Sequence, residues 1–501
     1  MRKIPAGKLC RWALLGACSA AMAQAQGTSQ NTAPQQSAAQ QARAQQQQAQ
    51  AAAGEALTPE LIANLQKIRE AAMASDYAWR ELAHLTENIG PRLAGSPQAL
   101  QASNYVADEM RKLGLEVNLE RVTVPHWVRG EERGELTVFA GQAPRTTQKI
   151  VLTALGNSAA TRADGITAEV VAVNNFAELA ALGREKVSGR IVLYNEKFDA
   201  RMAAQGEAFL AYGPAVEYRI RGAQEAQKLG AVASLIRSVG DADFRLPHTG
   251  TSIAAGIPAA AVTAEDAELI ADLTKQGRVV MHLVLTPQTL PDTTGYNVIA
   301  DLKGSEHPEQ VVVVSGHLDS WDLGTGAIDD GAGVVVAMQV ANLCKQLSLR
   351  PRRTIRVIAW MDEENRGSGS TAYAAEYKGE FANYAAAFES DSGAGHPMGF
   401  SGNANTRAIT EMQAIAALLG PIGATGVQNN GEGGADIGVM GQAGVPVFGL
   451  WQDGRTYFHY HHSPADTLDK VNPHELQENA AALAVMAYAI ADLPEMLPRQ
   501  Q

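Results

Sequence analysis

The sequence is poor in cysteine, in positive charge and in long apolar runs, and each shortage excludes a class of protein. Three cysteines occur among 501 residues, and Cys10 and Cys18 both lie in a short N-terminal segment. The remaining Cys344 cannot form an internal disulfide by itself. Its apolar, helix-like surroundings predict a buried small side chain rather than a catalytic thiol.

Basic residues are outnumbered along the whole chain. The 41 Lys and Arg residues stand against 53 Asp and Glu residues, which gives a net charge of −12. A nucleic-acid-binding protein needs a basic face, so we expect no nucleic-acid partner. The sequence also has no Gly-x-Ser-x-Gly element, and this disfavours a serine hydrolase of the nucleophile-elbow type.

Residues 1–25 have the features of a secretory signal peptide. Cations between Arg2 and Arg11 precede the apolar run WALLGACSAAMA and small residues that suit cleavage. The run is too short to span a bilayer. We therefore expect export to the bacterial periplasm or to the extracellular medium. Membrane attachment is expected only if Cys18 is lipidated, because LGAC resembles the end of a lipoprotein signal.

Composition divides the rest of the chain into a spacer, a catalytic domain and an insert. Residues 26–57 are mostly Gln and Ala, and we expect a flexible spacer there. Residues 129–291 carry short β-like runs around one strong helical pattern, and we interpret them as an inserted α+β domain. Residues 58–128 and 292–494 are assigned to one catalytic domain that the insert interrupts.

The C-terminal half repeats the pattern of strand, loop and helix. The runs EQVVVVSG and RTIRVIAWM barely alternate, as expected for strands that are buried on both faces. We therefore predict an α/β fold with a mainly parallel sheet flanked by helices. In such a sheet, ligands bind beyond the carboxyl ends of the strands.

Histidine and acidic residues lie at these strand ends. His317 and Asp319 follow one run, Glu363 and Glu364 follow the next, and Asp391 follows a third. Crowded carboxylates need cations, and zinc accepts imidazole nitrogen and carboxylate oxygen. The pattern predicts a two-metal hydrolytic site that activates a water. One carboxylate of the acidic pair would bind metal, and the other would act as the general base.

Two further segments supply candidate ligands. In GAIDDGAG, Asp329 precedes a predicted helix and is placed to bridge two metals, although the adjacent Asp330 is an alternative ligand. In YFHYHHSPADT, one residue from the cluster of His459, His461 and His462 would complete the second metal.

Taken together, the motifs resemble a known family. They are NIGPRLAGS, PHWVRGE, GHLDSWDLGTGAIDDGAG, MDEENRGSGS, ESDSGA, GGADI and YHHSPADT. They are similar to those of the di-zinc exopeptidases, which include bacterial secreted leucyl aminopeptidases and glutamate carboxypeptidases. Within this family, the chain resembles the carboxypeptidase Q branch most. The resemblance implies a zinc exopeptidase fold, two zinc ions per chain, and an insert of the protease-associated type at about 130–290.

The resemblance also assigns the metal ligands. It implies that His317 and Asp391 bind one zinc, that Glu364 and His462 bind the other, and that Asp329 bridges the two.

The implied activity is the hydrolysis of dipeptides or short peptides. Glu363 would be the general base, and Asp319 would orient a histidine ligand. The same resemblance is compatible with a homodimer. A broader aminopeptidase is the alternative within the class, and a non-catalytic receptor or scaffold on the same fold is the alternative outside it.

The substrate-binding residues are less well specified. Many aminopeptidases of this family carry a tyrosine immediately before the last histidine ligand, but here that position is His461. His461 is therefore one candidate for assisting the oxyanion, with Tyr457 or Tyr460 as alternatives. Asp436, in the segment GEGGADI, is a candidate for lining the substrate pocket.

Overall fold

Two eight-stranded sheets organise the computed structural model, which describes residues 56–240, 244–431 and 433–499. The predicted signal peptide, Cys18 and nearly all of the Gln/Ala spacer lie outside the described residues. The α-helices of the described residues are α1 (Pro59–Met73), α2 (Tyr77–Ala83), α3 (Pro97–Lys112), α4 (Phe176–Val187), α5 (Ala200–Ala204), α6 (Ala208–Lys228), α7 (Ala264–Gln276), α8 (Ala332–Gln346), α9 (Ser368–Tyr377), α10 (Thr406–Ala416), α11 (Gly438–Gln442), α12 (Tyr457–Tyr460) and α13 (Pro473–Asp492).

The strands are numbered in chain order across both sheets. They are β1 (Glu116–Val128), β2 (Glu132–Val138), β3 (Gln148–Ile150), β4 (Leu152–Ala154), β5 (Ile166–Val173), β6 (Ile191–Tyr194), β7 (Ala233–Arg237), β8 (Ala259–Val262), β9 (Val280–Leu285), β10 (Gln288–Leu302), β11 (His307–His317), β12 (Arg353–Trp360), β13 (Tyr384–Glu389), β14 (Pro397–Asn403), β15 (Gly426–Gln428) and β16 (Val447–Gln452).

The first sheet has the strand order β1-β10-β12-β11-β13-β16-β14-β15. Its four central strands, β12, β11, β13 and β16, run parallel to one another. Antiparallel pairs join this centre to β10 on one side and to β14 on the other. The predicted α/β fold is confirmed, and its parallel part is concentrated at the centre of the sheet.

Both faces of the central strands are buried. Along β11, Val312 and Val314 belong to a core shared with helices α8 and α13. Val311 and Val313 belong to a separate core on the other face, together with Trp360. Apolar side chains are therefore needed on both faces, which explains why the valine run does not alternate with polar residues.

The second sheet takes all its strands from residues 132–285, in the order β3-β2-β9-β5-β6-β7-β8-β4. The chain leaves the first sheet at the end of β1 and returns at the start of β10, where Val128 is paired with Gln288. These neighbouring entry and exit points are the arrangement that an insert needs. The division into domains, and the protease-associated type of the insert, stay predictions.

Helix α8 lies in the core between the first sheet and α13. The segment Ala327–Gln346 is apolar and long enough to cross a membrane, but 94% of its apolar 18-residue stretch is buried inside the protein, as in a core helix. Cys344 on this helix is 1% exposed, and burial raises the pKa of its thiol to about 12. The prediction that Cys344 is a buried small side chain is confirmed.

A buried ion pair ties β12 to β10. Arg356 Nε and Nη2 donate to the Asp301 carboxylate at 2.7 and 2.9 Å, and Arg356 Nη1 donates to the hydroxyls of Tyr373 and Tyr384. Arg356 is 9% exposed and Asp301 is 7% exposed. Lys303 also donates to this carboxylate, at 2.9 Å, from a more exposed position.

We expect Arg356→Ala to lower the free energy of unfolding by about 3 kcal/mol, because it leaves a buried carboxylate with only part of its compensation. The matched control is Arg352→Ala, whose side chain is 38% exposed and pairs with Glu306 at 2.9 Å. An exposed pair contributes at most about 1 kcal/mol. Urea unfolding followed by fluorescence measures both, and equal losses would contradict the interpretation.

Candidate metal centre and active site

Three neighbouring parallel strands end at one edge of the first sheet. β11 ends at His317, β12 ends at Trp360 and β13 ends at Glu389. Because parallel strands have their carboxyl ends on the same edge, the loops that follow them meet there. The acidic residues predicted from these loops are Asp319, Glu363, Glu364 and Asp391.

Asp329 lies at the centre of the cluster and faces an imidazole with each of its oxygens. Asp329 Oδ1 lies 3.1 Å from His317 Nε2, and Asp329 Oδ2 lies 3.2 Å from His462 Nε2. Asp391 Oδ1 lies 3.5 Å from His317 Nε2, and Glu364 Oε2 lies 2.9 Å from His462 Nε2. The structure thus brings together all five predicted metal ligands, which are separated by up to 145 positions in the chain.

The ligand-type atoms form two overlapping groups. In one group, an atom each of His317, Asp329 and Asp391 lie within 4.8 Å of one another; in the other, the same holds for Asp329, His461 and His462. Asp329 is common to both groups. His461 Nε2 lies 3.6 Å from Asp329 Oδ2, so this histidine, a candidate in the sequence both as a ligand and as a group that assists the oxyanion, lies beside the ligand cluster.

The donor set fits zinc. Imidazole nitrogens and carboxylate oxygens are the ligands that zinc accepts. Glu364 Oε1 is buried and has no hydrogen-bond partner among the described residues. A buried acceptor without a partner carries its full desolvation cost, which coordination to a cation would offset.

The structure distinguishes Asp329 from its neighbour. Asp330 Oδ2 accepts the backbone N–H of His317 at 2.9 Å, and Asp330 Oδ1 accepts that of Gly333 at 3.0 Å. Both Asp330 oxygens are therefore engaged by the backbone, while both Asp329 oxygens face the imidazoles. The sequence alone does not decide between Asp329 and Asp330 as the ligand, because the direction of each side chain depends on the turn of the backbone before α8.

Asp319 organises the acidic loop after β12. Its Oδ1 accepts the backbone N–H groups of Asp362 and Glu363 at 2.7 and 3.1 Å, and its Oδ2 accepts that of Glu364 at 3.4 Å. The His317 Nδ1 atom lies 3.0 Å from the backbone carbonyl oxygen of Asp319, and 4.0 Å from its carboxylate. Asp319 thus contacts the histidine through its main chain and the acidic pair through its side chain.

Trp321 holds the Glu364 side chain, a contact that sequence reasoning missed. The indole Nε1 donates to Glu364 Oε2 at 2.6 Å. The ring packs on Gly156 of the second-sheet segment, that is, residues 132–285, which supply the strands of the second sheet. A Cβ added to Gly156 would lie 2.2 Å from the indole. The absence of a side chain at position 156 therefore allows the tryptophan to take this position.

Arg92 and Asp466 hold the loop that leads to Asp329. Arg92 is 0% exposed and donates to the backbone carbonyls of Leu318, Thr325 and Gly326. Asp466 Oδ1 accepts two backbone N–H groups, those of residues 327 and 328, at 2.8 Å each. The motifs NIGPRLAGS and YHHSPADT carry these residues, but no local signal in the sequence tells that their charges are buried against a distant backbone.

A cavity of about 280 Å³ opens beside the cluster. Four of its lining residues come from the second-sheet segment, where we predicted no site residues. The cavity is lined by Phe209, Tyr212, Arg219, Thr251, Asp329, Glu363, Glu364, Asp391, Tyr457, Phe458, His461 and His462.

The second-sheet segment also holds the histidine pair directly. The Thr249 N–H donates to the His462 carbonyl at 2.8 Å, and Arg219 Nη1 lies 3.1 Å from His462 Nδ1. His462 has a φ of 60°, in the left-handed region that non-glycine residues seldom adopt. The contacts from Thr249 and Arg219 therefore help to hold the strained backbone of this candidate ligand in place.

The remaining candidates occupy different positions. Glu363 is partly buried and lines the cavity, and its carboxylate makes no hydrogen bond or ion pair with another described residue. Tyr457 lines the cavity, whereas Tyr460 does not. Asp436 is 1% exposed and does not line it; the Asp436 N–H donates to the Glu389 carboxylate at 3.1 Å. The roles given to these side chains stay predictions.

Burial and crowding shift the pKa values of the cluster. Burial, together with repulsion from Asp391 and Glu364, raises the pKa of Glu363 well above its usual range against the attraction of His317. Burial would also raise the pKa of Asp329, but the hydrogen bonds from His317 and His462 hold it well below its usual range. Carboxylates this close to one another repel, and bound cations would offset this repulsion.

The pKa values of His461 and His462 shift in opposite directions. Burial lowers the pKa of His462, but attraction to Glu364 and Asp329 outweighs this and raises it to about 9. Burial and repulsion from His462 hold the pKa of His461 well below its usual value. The two stacked imidazoles, whose centroids are 3.5 Å apart, therefore have different electrostatic surroundings.

Comparisons with known proteins identify the family of the chain. Residues 297–487 match the profile of Peptidase family M28. The chain is 41% identical over 434 residues to carboxypeptidase Q of Homo sapiens. The alignment covers 85% of this chain and 88% of that protein.

Solved structures give the same result. The peptidase M28 precursor of Shewanella amazonensis SB2B superposes with a TM-score of 0.82 at 35% identity, over 88% of this chain and 99% of that chain. BSAP, a zinc aminopeptidase from Bacillus subtilis, shares the fold with a TM-score of 0.60 at 22% identity, over 84% of this chain and 98% of that chain. The resemblance inferred from the motifs is confirmed. The chain belongs to peptidase family M28 and is a metallo-exopeptidase.

Proposed function

We propose that the protein is an exported di-zinc exopeptidase that hydrolyses dipeptides and other short peptides. The observation that carries the proposal is the position of Asp329, which turns one oxygen to His317 at 3.1 Å and the other to His462 at 3.2 Å. A carboxylate shared in this way is suited to bridge two metal ions, and paired ions are a recurrent device of hydrolytic sites.

The two ligand sets follow from the same geometry. His317 and Asp391 would hold one ion, Glu364 and His462 would hold the other, and Asp329 would bridge them. The metal named for BSAP, zinc, supports the choice of ion. When bound, zinc would polarise the scissile carbonyl and lower the pKa of the attacking water.

Glu363 is suited to move the proton. Its carboxylate reaches the cavity and is not engaged by another described residue, so it is free to take a proton from water and to give it to the leaving amine. Its neighbour Glu364 is held by Trp321 and His462. The two adjacent glutamates therefore have different surroundings, as their different roles require.

Asp319 keeps these two roles apart. Its carboxylate accepts the backbone N–H groups at positions 362 to 364, and this fixes the direction in which each glutamate side chain leaves the loop. Groups that orient metal ligands in this way support the activity without touching the substrate.

The size of the cavity is suited to a short substrate. A volume of about 280 Å³ is at the small end of ligand pockets. The similarity to carboxypeptidase Q over most of both chains supports an exopeptidase that acts on peptide ends.

Glu363→Gln tests the general base. We expect turnover of a dipeptide to fall at least about 100-fold, because the amide cannot accept the proton from water. Bound metal, measured by plasma mass spectrometry, should be unchanged, since Glu363 is not a proposed ligand. The matched control is Glu376→Gln, an exposed position on α9, which should keep normal turnover. Near-normal turnover of the Glu363→Gln variant would refute the assigned role.

Single ligand variants test the two-ion arrangement. We expect the wild type to retain two zinc ions per chain after dialysis, His317→Ala and His462→Ala to lose at least one each, and Asp329→Ala to lose both, because only Asp329 serves both ions. His307→Ala, at the opposite end of β11 and partly exposed, is the control and should retain two. Unchanged zinc in both of the first two variants would contradict the proposed ligands.

Blocked substrates test which peptide ends are required. We expect both an N-acetylated dipeptide and a dipeptide amide to be cleaved at least about tenfold more slowly than the free dipeptide, because a site that binds a polar end group discriminates strongly against an analogue without it. Steady-state kinetics with the zinc-loaded enzyme measures this. Full activity on the amide would instead support the broader aminopeptidase.

A further inference from the structure

The N-terminal half of helix α6 carries aromatic side chains to the wall of the active-site cavity. Phe209 and Tyr212 both line it, although they belong to the second-sheet segment and the proposed ligands do not. Phe209 is 47% exposed. Single exposed apolar residues are ordinary, but this one stands over a cavity that several carboxylates also line.

The Phe209 ring is held in place from behind. Its centroid lies 5.5 Å from that of Tyr457 in a stacked arrangement and 5.1 Å from that of Phe458 in an edge-on arrangement. Tyr212 stacks on Phe458 at 4.6 Å. Aromatic pairs with this geometry attract one another beyond simple burial. The ring is therefore fixed on one side and open on the other.

The cavity consequently has two chemically different parts. The carboxylates of Asp329, Glu363, Glu364 and Asp391 form the polar part, where the scissile bond must lie. The aromatic residues of α6 and α12 form the other part. A substrate with its carbonyl at the polar part could therefore extend a neighbouring side chain towards the aromatic part.

We propose that Phe209, supported by Tyr212, forms a subsite for a large apolar or aromatic side chain of the substrate and so determines specificity. This inference rests on the proposed function of the site. An apolar side chain in this subsite covers the open face of the Phe209 ring and removes apolar surface of both partners from water. An alanyl side chain is too short to cover it.

The experiment compares phenylalanyl-alanine, alanyl-phenylalanine and dialanine as substrates of the zinc-loaded, full-length enzyme. For the wild type, we expect one of the two phenylalanine-containing dipeptides to have a higher kcat/KM than dialanine. In Phe209→Ala, this preference should fall about tenfold, mainly through KM, since removing part of an apolar pocket costs about this much discrimination. Phe209→Tyr, which keeps the ring, should retain the preference.

The neighbouring residue provides the control. Leu210 is 66% exposed and does not line the cavity, so Leu210→Ala should leave the preference as in the wild type. Because Phe209 is itself about half exposed, its alanine variant should melt within a few degrees of the wild type.

The results distinguish a failure of the Phe209 subsite from a failure of the proposed peptidase function. An active wild type whose preference is the same in Phe209→Ala overturns the subsite and leaves the proposed function standing. A preference lost equally in Leu210→Ala also overturns the subsite. A zinc-loaded wild type that cleaves none of the dipeptides overturns the proposed function and the subsite with it.

Discussion

The placement of one carboxylate between two imidazoles is the constraint on which the rest of the site depends. Asp329 reaches both His317 and His462 only because buried polar groups fix the backbone around it. Asp330 anchors the start of α8 to the end of β11, and Arg92 and Asp466 fix the preceding loop. Burying such charges is unfavourable unless each is paired or hydrogen-bonded, and here each is satisfied largely by main-chain groups. Stability and ligand geometry are therefore coupled in this loop.

The two sheets divide the work of the enzyme between them. The first sheet supplies the acidic and imidazole groups at its strand ends, while the second-sheet segment covers them with α6 and with the turn at Thr249. The residues His317, Asp329, Glu364 and His462 are at most 7% exposed, and burial strengthens the electrostatic interactions between such groups. Because Gly156 of the same segment accommodates Trp321, which in turn holds Glu364, the packing of the second sheet also sets the direction of a proposed ligand.

Much of this arrangement could be predicted from the sequence, and the rest could not, for physical reasons. His317, Glu364 and Asp391 lie just at or after apolar runs, so strand order and parallel pairing bring them together. The choice of Asp329 over Asp330 depends on backbone hydrogen bonds that no spacing encodes. The sequence does not predict the cavity wall at Phe209, because Gly213 and Pro214 interrupt the helical pattern of α6. The contacts of Phe209 with Tyr457 and Phe458 also span more than 200 positions.

The most direct test of this account is anomalous diffraction from crystals of the zinc-loaded protein, measured on both sides of the zinc absorption edge. The account predicts two anomalous peaks that flank the Asp329 carboxylate, one beside His317 and Asp391 and the other beside Glu364 and His462. A single peak, or peaks away from Asp329, would contradict the claim that this carboxylate joins two metal ions.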